Sequence, residues 1–305
     1  MEFPLRSERL GRSGFWLKEQ GCPGFSTPCA ASRVRTIEIN HLETAVMKGW
    51  TIFTHSVRMV MRNLNYAVRI AAGPVLIGLA VVYAMLASAG LPLTLIADQQ
   101  AVSQVFAAGG FGLTLLVVFL VMMAVQVWVF VSWHRFVLLE EYPSGLLPAF
   151  RADRILAYVG NVLVLFLVAL AVMVPAGVIA FAVLAGGIAG AGGAALNAAV
   201  FVLFFLLSFV VMYRLTPILP AAAINQPLKL RDAWDKTRGT TGTIVLLVVL
   251  LAVFNVLLQV VVDLSMAVFA PLGILFMILA TLVTTLVNVS VVTTFYGHYV
   301  EGRPI

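Results

Sequence analysis

Three groups of residues in this chain have atoms that could do chemistry. The first is a pair of polar stripes. Asn255, Gln259 and Asp263 recur at steps of four, and Thr281, Thr284, Thr285 and Asn288 follow at helical spacing. Both stripes lie inside long apolar stretches, where a polar side chain is costly unless it faces protein or water. They could line a path for a small solute or a lipid headgroup, with Asp263 as its charged member. They could instead join two helices through hydrogen bonds, each contributing on the order of 1 kcal/mol. Asp263 stands at the end of its stretch and no second intramembrane acid is there to relay a proton, which favours the joining role. The second group is basic: Arg58, Arg62, Arg69, His134, Arg135 and Arg214 stand at the edges of apolar stretches and carry the donors that lipid phosphates accept. The third is Cys22, Cys29 and His41, whose six-residue spacing and missing fourth ligand match no zinc template, leaving two ordinary thiols.

Other reaction chemistry has little to run on. The four histidines, His41, His55, His134 and His298, are not spaced with a carboxylate or a second histidine as a metal site requires. The sequence has no nucleophile elbow, phosphate-binding loop or dinucleotide fingerprint. A headgroup-level enzyme would have to use Glu140, Glu141 and His134, the nearest approach to a cluster. The chain is therefore read as non-enzymatic, with no catalytic residues, metal or cofactor. Gln126 and Asn197 are isolated polar residues and read as helix-joining contacts.

The elements that must position these residues follow from composition. Hydrophobic residues make up 62% of the 305 residues, charged residues only 10%, and the mean hydropathy is +1.04. A soluble domain carries about 25% charge, so here lipid must act as part of the solvent. Six apolar runs are long enough to cross a hydrocarbon core of about 30 Å as helices. They cover residues 70–89, 111–131, 158–185, 194–212, 243–262 and 272–292. None shows the alternation of a barrel strand, and backbone groups in lipid must be satisfied within the segment, so an all-α polytopic bundle is expected. Pro74 and Pro175 are expected to kink spans one and three. Gly186, Gly187, Gly190, Gly192 and Gly193 permit a tight turn between spans three and four.

Charge placement sets the orientation. All 19 lysines and arginines fall in the N-terminal segment, the loops after spans two and four, and the C-terminal tail. The three intervening loops contain none, so both termini are expected in the cytoplasm of a bacterium, with the chain in its inner membrane. The net charge of +6 is spread through short loops rather than gathered on one folded face, which argues against nucleic acid and for anionic headgroups as partners. A protein partner or a second copy remains open.

Residues 1–46, rich in Gly, Pro, Ser, Arg and Glu, are expected to be disordered, with Met47 an alternative start of translation. From Gly49 to Arg69, Trp50, Phe53, Val57, Val60, Met61, Leu64 and Val68 recur at helical spacing opposite Thr51, His55, Arg58, Arg62, Asn65 and Arg69. This predicts an amphipathic helix lying in the headgroup plane. The segments from Trp133 to Arg154 and from Tyr213 to Arg238 read as weaker versions of it, so the fold is expected to use one interfacial helix and one two-span hairpin three times.

The stretch Leu219-Pro220-Ala221-Ala222-Ala223-Ile224, followed by Ala233-Trp234-Asp235-Lys236-Thr237-Arg238-Gly239 and an apolar span, resembles the six-span membrane domain of bacterial glycerophosphodiester phosphodiesterase membrane-domain and YciC-like integral membrane proteins. The resemblance covers about residues 47–305. It implies a six-span fold and no hydrolase activity, because the soluble phosphodiesterase domain has no counterpart. The function expected is that of an integral membrane scaffold or envelope-organising protein. The alternative is a small-solute or lipid transporter using the stripes of spans five and six.

Overall fold

The structure is a computed structural model that describes residues 47–90, 103, 112–143, 145, 147–185 and 191–305. The chain divides between His41 and Leu42, and all of these residues belong to the second unit. The expectation of disorder for residues 1–46, the cysteines, His41, Asp98 and Gly186, Gly187 and Gly190 lie outside the described residues.

The described residues are helical, with no strand among them. Helix α1 covers residues 47–62 and is followed by α2 (Leu64–Ser88), α3 (Gly112–Leu139), α4 (Ala152–Ala185) and α5 (Ala191–Leu215). Two short helices, α6 (Ile218–Ala223) and α7 (Leu230–Lys236), precede α8 (Thr241–Val268) and α9 (Ala270–Tyr299). Six of these helices are long and apolar enough to cross a membrane, so the chain is a multi-pass membrane protein. Its exposure pattern agrees: Leu76, Leu163, Phe201, Val256 and Leu264 are more than half exposed in mid-helix. Fully buried positions, by contrast, include Ser56, Thr237, Ser290 and Thr293. Lipid reverses the usual preference because hydrocarbon accepts an apolar surface and rejects an unpaired hydroxyl.

Consecutive long helices pack as hairpins, α2 on α3, α4 on α5 and α8 on α9, and α9 also packs against α3. Close approach is built into two of these pairs. A Cβ on Gly78 would come within 2.6 Å of Val125 Cγ2, across the α2–α3 contact, and one on Gly273 would come within 2.6 Å of the Met266 Cα, at the α8–α9 turn. The main apolar core joins α1, α2, α3, α8 and α9 around Ile52, Trp133, Leu247, Leu286 and Phe295.

Three expectations need correction. First, four helices continue past their apolar runs at the end where the loops are charged: α2 begins at Leu64 rather than residue 70, α3 ends at Leu139 rather than 131, α4 begins at Ala152 rather than 158, and α9 ends at Tyr299 rather than 292. The turns added to α3 and α9 are mostly buried despite their polar residues, which hydropathy alone does not register. Second, the buried face of α1 is not the one read from the sequence. Ile52, Ser56 and Val60 are wholly inaccessible and pack into the main core. Trp50 and Met61, assigned to the apolar face, are 53% exposed. His55, Arg58, Arg62 and Arg69 are exposed as expected. Asn63, with φ −112° and ψ 26°, separates α1 from α2 by a single residue. Third, the three connectors are not equivalent. The first is a long packed helix, the described residues of 140–151 hold no helix, and the third contains two short ones. A threefold unit of interfacial helix and hairpin is not what the connectors form.

Candidate functional site

The polar chemistry concentrates at the charged end of the bundle, in two layers. The inner layer is buried between α1, α3, α4 and α9. Trp133 Nε1 donates to Ser290 Oγ at 2.8 Å, and Ser56 Oγ lies 3.1 Å from Thr294 Oγ1. His134, only 1% exposed, has Nδ1 2.8 Å from Thr293 Oγ1 and Nε2 3.4 Å from the Tyr158 hydroxyl. Thr293 gives its single proton to Val289 O at 2.8 Å. Its oxygen must therefore accept from His134, which places the imidazole proton on Nδ1 and leaves Nε2 to accept from Tyr158. The result is a neutral histidine with both nitrogens occupied. In sequence His134 is a boundary residue and a candidate headgroup contact; enclosed in this way, it joins three helices.

The outer layer closes helix ends. A helix C-terminus presents free carbonyls and partial negative charge, which cationic side chains satisfy. Here the cations come from distant parts of the chain. Arg135 Nη1 donates to Ala223 O at the end of α6, at 3.0 Å. Arg303 Nη2 reaches Leu138 O at the end of α3, at 3.1 Å, and Lys236 Nζ reaches Val300 O just beyond α9, at 3.2 Å. Arg214 Nη2 donates to Trp234 O in α7 at 2.9 Å, and its guanidinium carbon lies 3.7 Å from the Trp234 ring centroid, a cation–π arrangement. Arg135 and Arg214, boundary residues and candidate headgroup contacts in sequence, make these bonds within the protein, while Arg58, Arg62 and Arg69 keep exposed positions.

Glu141 completes this layer. Its Oε2 takes Arg135 Nε at 2.8 Å and Nη2 at 2.6 Å, and its Oε1 takes Arg151 Nη2 at 2.8 Å. Burial by itself would raise the Glu141 pKa. The hydrogen bonds from Arg151 and Arg135 outweigh that and hold the carboxyl below its ordinary value. Glu140 adopts φ +54° immediately after α3 and turns the chain so that Glu141 faces back to Arg135.

The motif carrying the family resemblance has a physical account. Ala221, Ala223 and Ala233 are 0% exposed, so nothing larger fits where α6 and α7 pack. The Thr237 hydroxyl sits 2.8 Å from Ala233 O and 3.2 Å from Arg214 O, ending α7 and tying it to α5. Gly239 has φ +76°, a conformation that side chains with a Cβ rarely adopt.

The intramembrane stripes are brought together, but not as expected. Asn255, Gln259, Thr281, Thr284 and Thr285 line one groove of about 390 Å³ between α8 and α9. Their hydrogen bonds stay on their own helices: Asn255 to Leu251 O, Gln259 to Asp263, Thr281 to Met277 O and Asn288 to Thr284 O. No such bond joins the two stripes among the described residues, and Gln259, Asp263 and Thr281 are exposed. The stripe forms the wall of a lateral groove rather than a zipper. The groove lining on α9 stops at Thr285, and the fully buried Leu286 and Val287 follow it toward the charged end.

Sequence reading missed the buried hydroxyls Ser56, Thr293 and Thr294, and also Ser290. The available signal was the recurrence of Ser290, Thr293, Thr294 and Gly297 at steps of three and four in α9. No protein-family model, curated protein or solved structure matches this chain.

Proposed function

We propose that the protein is a non-enzymatic scaffold of a bacterial inner membrane, with its charged end, α1 and the C-terminus on the cytoplasmic side and the α8–α9 turn on the other. The observation that carries this reading is how the polar groups are used. At the charged end, cations close helix ends and hydroxyls join helices, which makes a rigid bundle. Within the spans, the lateral groove is an open polar surface. A bundle of this kind presents a surface to membrane neighbours. The short-motif resemblance to the six-span membrane-domain family points the same way.

The orientation is tested by labelling single cysteines in intact cells, in a background with Cys22 and Cys29 replaced by serine. Phe269→Cys, at the α8–α9 turn, is expected to react with an impermeant maleimide, and Arg231→Cys only after the cells are opened. The reverse pattern would refute the orientation.

A transporter of a small solute or lipid is the second reading, favoured by the size and polarity of the groove. Asn255→Leu and Asp263→Asn separate structure from use. Because Asn255 bonds only within α8, Asn255→Leu is expected to change stability in detergent by less than about 0.5 kcal/mol. If the variant stays folded and abundant but loses the envelope-stress phenotype of a deletion strain together with solute or lipid uptake, transport replaces scaffolding as the conclusion. Loss of a crosslinked neighbour with uptake intact supports the scaffold.

A further inference from the structure

Where α3, α4 and α6 meet at the charged end, a pocket of about 220 Å³ is walled by three guanidinium groups, those of Arg135, Arg151 and Arg154, with Asp153 and Asn225. Leu139 and Ile224 form its apolar side. We propose that this pocket binds a phosphate group, supplied by an anionic phospholipid headgroup or by free phosphate.

Charge is the first argument. Glu141 bonds to both Arg135 and Arg151, but it lines the neighbouring cavity with Tyr142 and Pro143 rather than this pocket. Its carboxylate holds two like charges close together, and Arg135 Nη1 is used on Ala223 O. The three guanidinium groups then stand against two carboxylates, those of Glu141 and of Asp153, whose side chain is 65% exposed, which leaves one positive charge in excess. A phosphate oxygen matches planar guanidinium forks better than a chloride ion does.

Free donors are the second. Arg151 uses Nε and Nη2 on Glu141, and Arg154 uses Nε on Asp153 and Nη1 on Asn225. Arg151 Nη1 and Arg154 Nη2 have no hydrogen bond among the described residues.

Rigidity is the third. Arg135 is 13% exposed and anchored on Ala223 O. Asn225 is held at φ +65° by a Schellman ending of α6, in which Gln226 N–H bonds to Ala221 O and Asn225 N–H to Ala222 O. Arg154 is therefore bonded to a residue whose backbone is fixed. A site whose donors are already placed loses less entropy on binding. The apolar side supplied by Leu139, itself 44% exposed, suits the glycerol and upper chain of a lipid.

The test uses the full chain in two settings. In nanodiscs of phosphatidylcholine and phosphatidylglycerol in equal parts, native mass spectrometry counts retained phosphatidylglycerol. In detergent free of phospholipid, inorganic phosphate is titrated against the thermal midpoint at constant ionic strength. The double variant Arg151→Gln/Arg154→Gln is expected to weaken retention or the phosphate effect by about tenfold. Asp153→Asn is expected to strengthen it by about threefold, which decides the matter even if the double variant misfolds. Arg62→Gln, a charge removed from the exposed face of α1, is expected to change neither. Equal losses in Arg62→Gln and the double variant, or no response to either the double variant or Asp153→Asn, would overturn the site. The lipid assignment rests on the charged end lying at headgroup level. A phosphate response without lipid retention keeps the site and refutes that placement, and retention without a phosphate response assigns the ligand as a headgroup.

Discussion

Trp133→Ala is expected to lower the free energy of unfolding by about 3 kcal/mol, read from the midpoint of unfolding in a detergent titration. Truncating a buried tryptophan costs about 3–5 kcal/mol in soluble proteins. Here the lower end applies, because helices that part in lipid or detergent regain an apolar environment and only packing and hydrogen bonding are lost. Both are substantial at this position. The side chain is 0% exposed, its ring lies 5.2 Å from that of Phe136, and its N–H is committed to Ser290. The neighbouring Ser56–Thr294 and His134–Thr293 bonds hold α1 and α9 at fixed spacing, so the cavity has little room to collapse. Trp133→Phe isolates the hydrogen bond and is expected to cost about 1 kcal/mol. Trp50→Ala is the control: Trp50 is 53% exposed, and its loss should leave the midpoint nearly unchanged. Equal effects of Trp133→Ala and Trp50→Ala would mean that the polar-lined core at the charged end is not where the bundle's stability lies.

Glu141→Ala ranks second, at about 2 kcal/mol near neutral pH. Removing one partner of a buried ion pair costs about 3–5 kcal/mol, and exposure reduces that: the Glu141 side chain is 31% exposed and that of Arg151 46%. The remainder reflects Arg135, which is 13% exposed and would face Arg151 with no carboxylate between them. The pH dependence has a definite sign. The folded-state pKa of Glu141 lies below its ordinary value of 4.5. The stabilisation is therefore complete above 4.5 and is lost as the pH falls through the folded value. Unfolding midpoints of wild type and Glu141→Ala should differ at pH 7 and converge as the solution is acidified below 4.5. A difference that persisted at low pH would show that the carboxylate charge is not what holds the two arginines.

Glu141 also shows why part of the site was illegible. In sequence it is one of two adjacent acids in a Pro-containing loop, with nothing to distinguish it from Glu140. Its role depends on the positive φ of Glu140, which turns it toward Arg135, and on Arg151, ten residues away and just before α4. His134 is a similar case. Beside Arg135 at the edge of an apolar run, it looked like a boundary residue, and only the approach of Thr293 from the far end of the chain makes it a buried link. The polar stripes were legible as helix faces, because helical spacing within an apolar run depends on local chain geometry alone. Whether they bond across or stay on their own helices depends on the distance between α8 and α9.

The sequence alone determined the all-α class, the six apolar spans and the placement of every basic residue outside their apolar runs. These follow from backbone hydrogen bonding in lipid and from the length of an apolar run, both local properties. The tertiary structure decided the rest. It packed α1 into the core, made three dissimilar connectors, and committed Arg135, Arg214, Lys236 and Arg303 to carbonyls on other elements. Each outcome depends on which helix ends come within about 3 Å of which cations. That proximity joins residues as far apart as Leu138 and Arg303, and no periodicity along the chain encodes it.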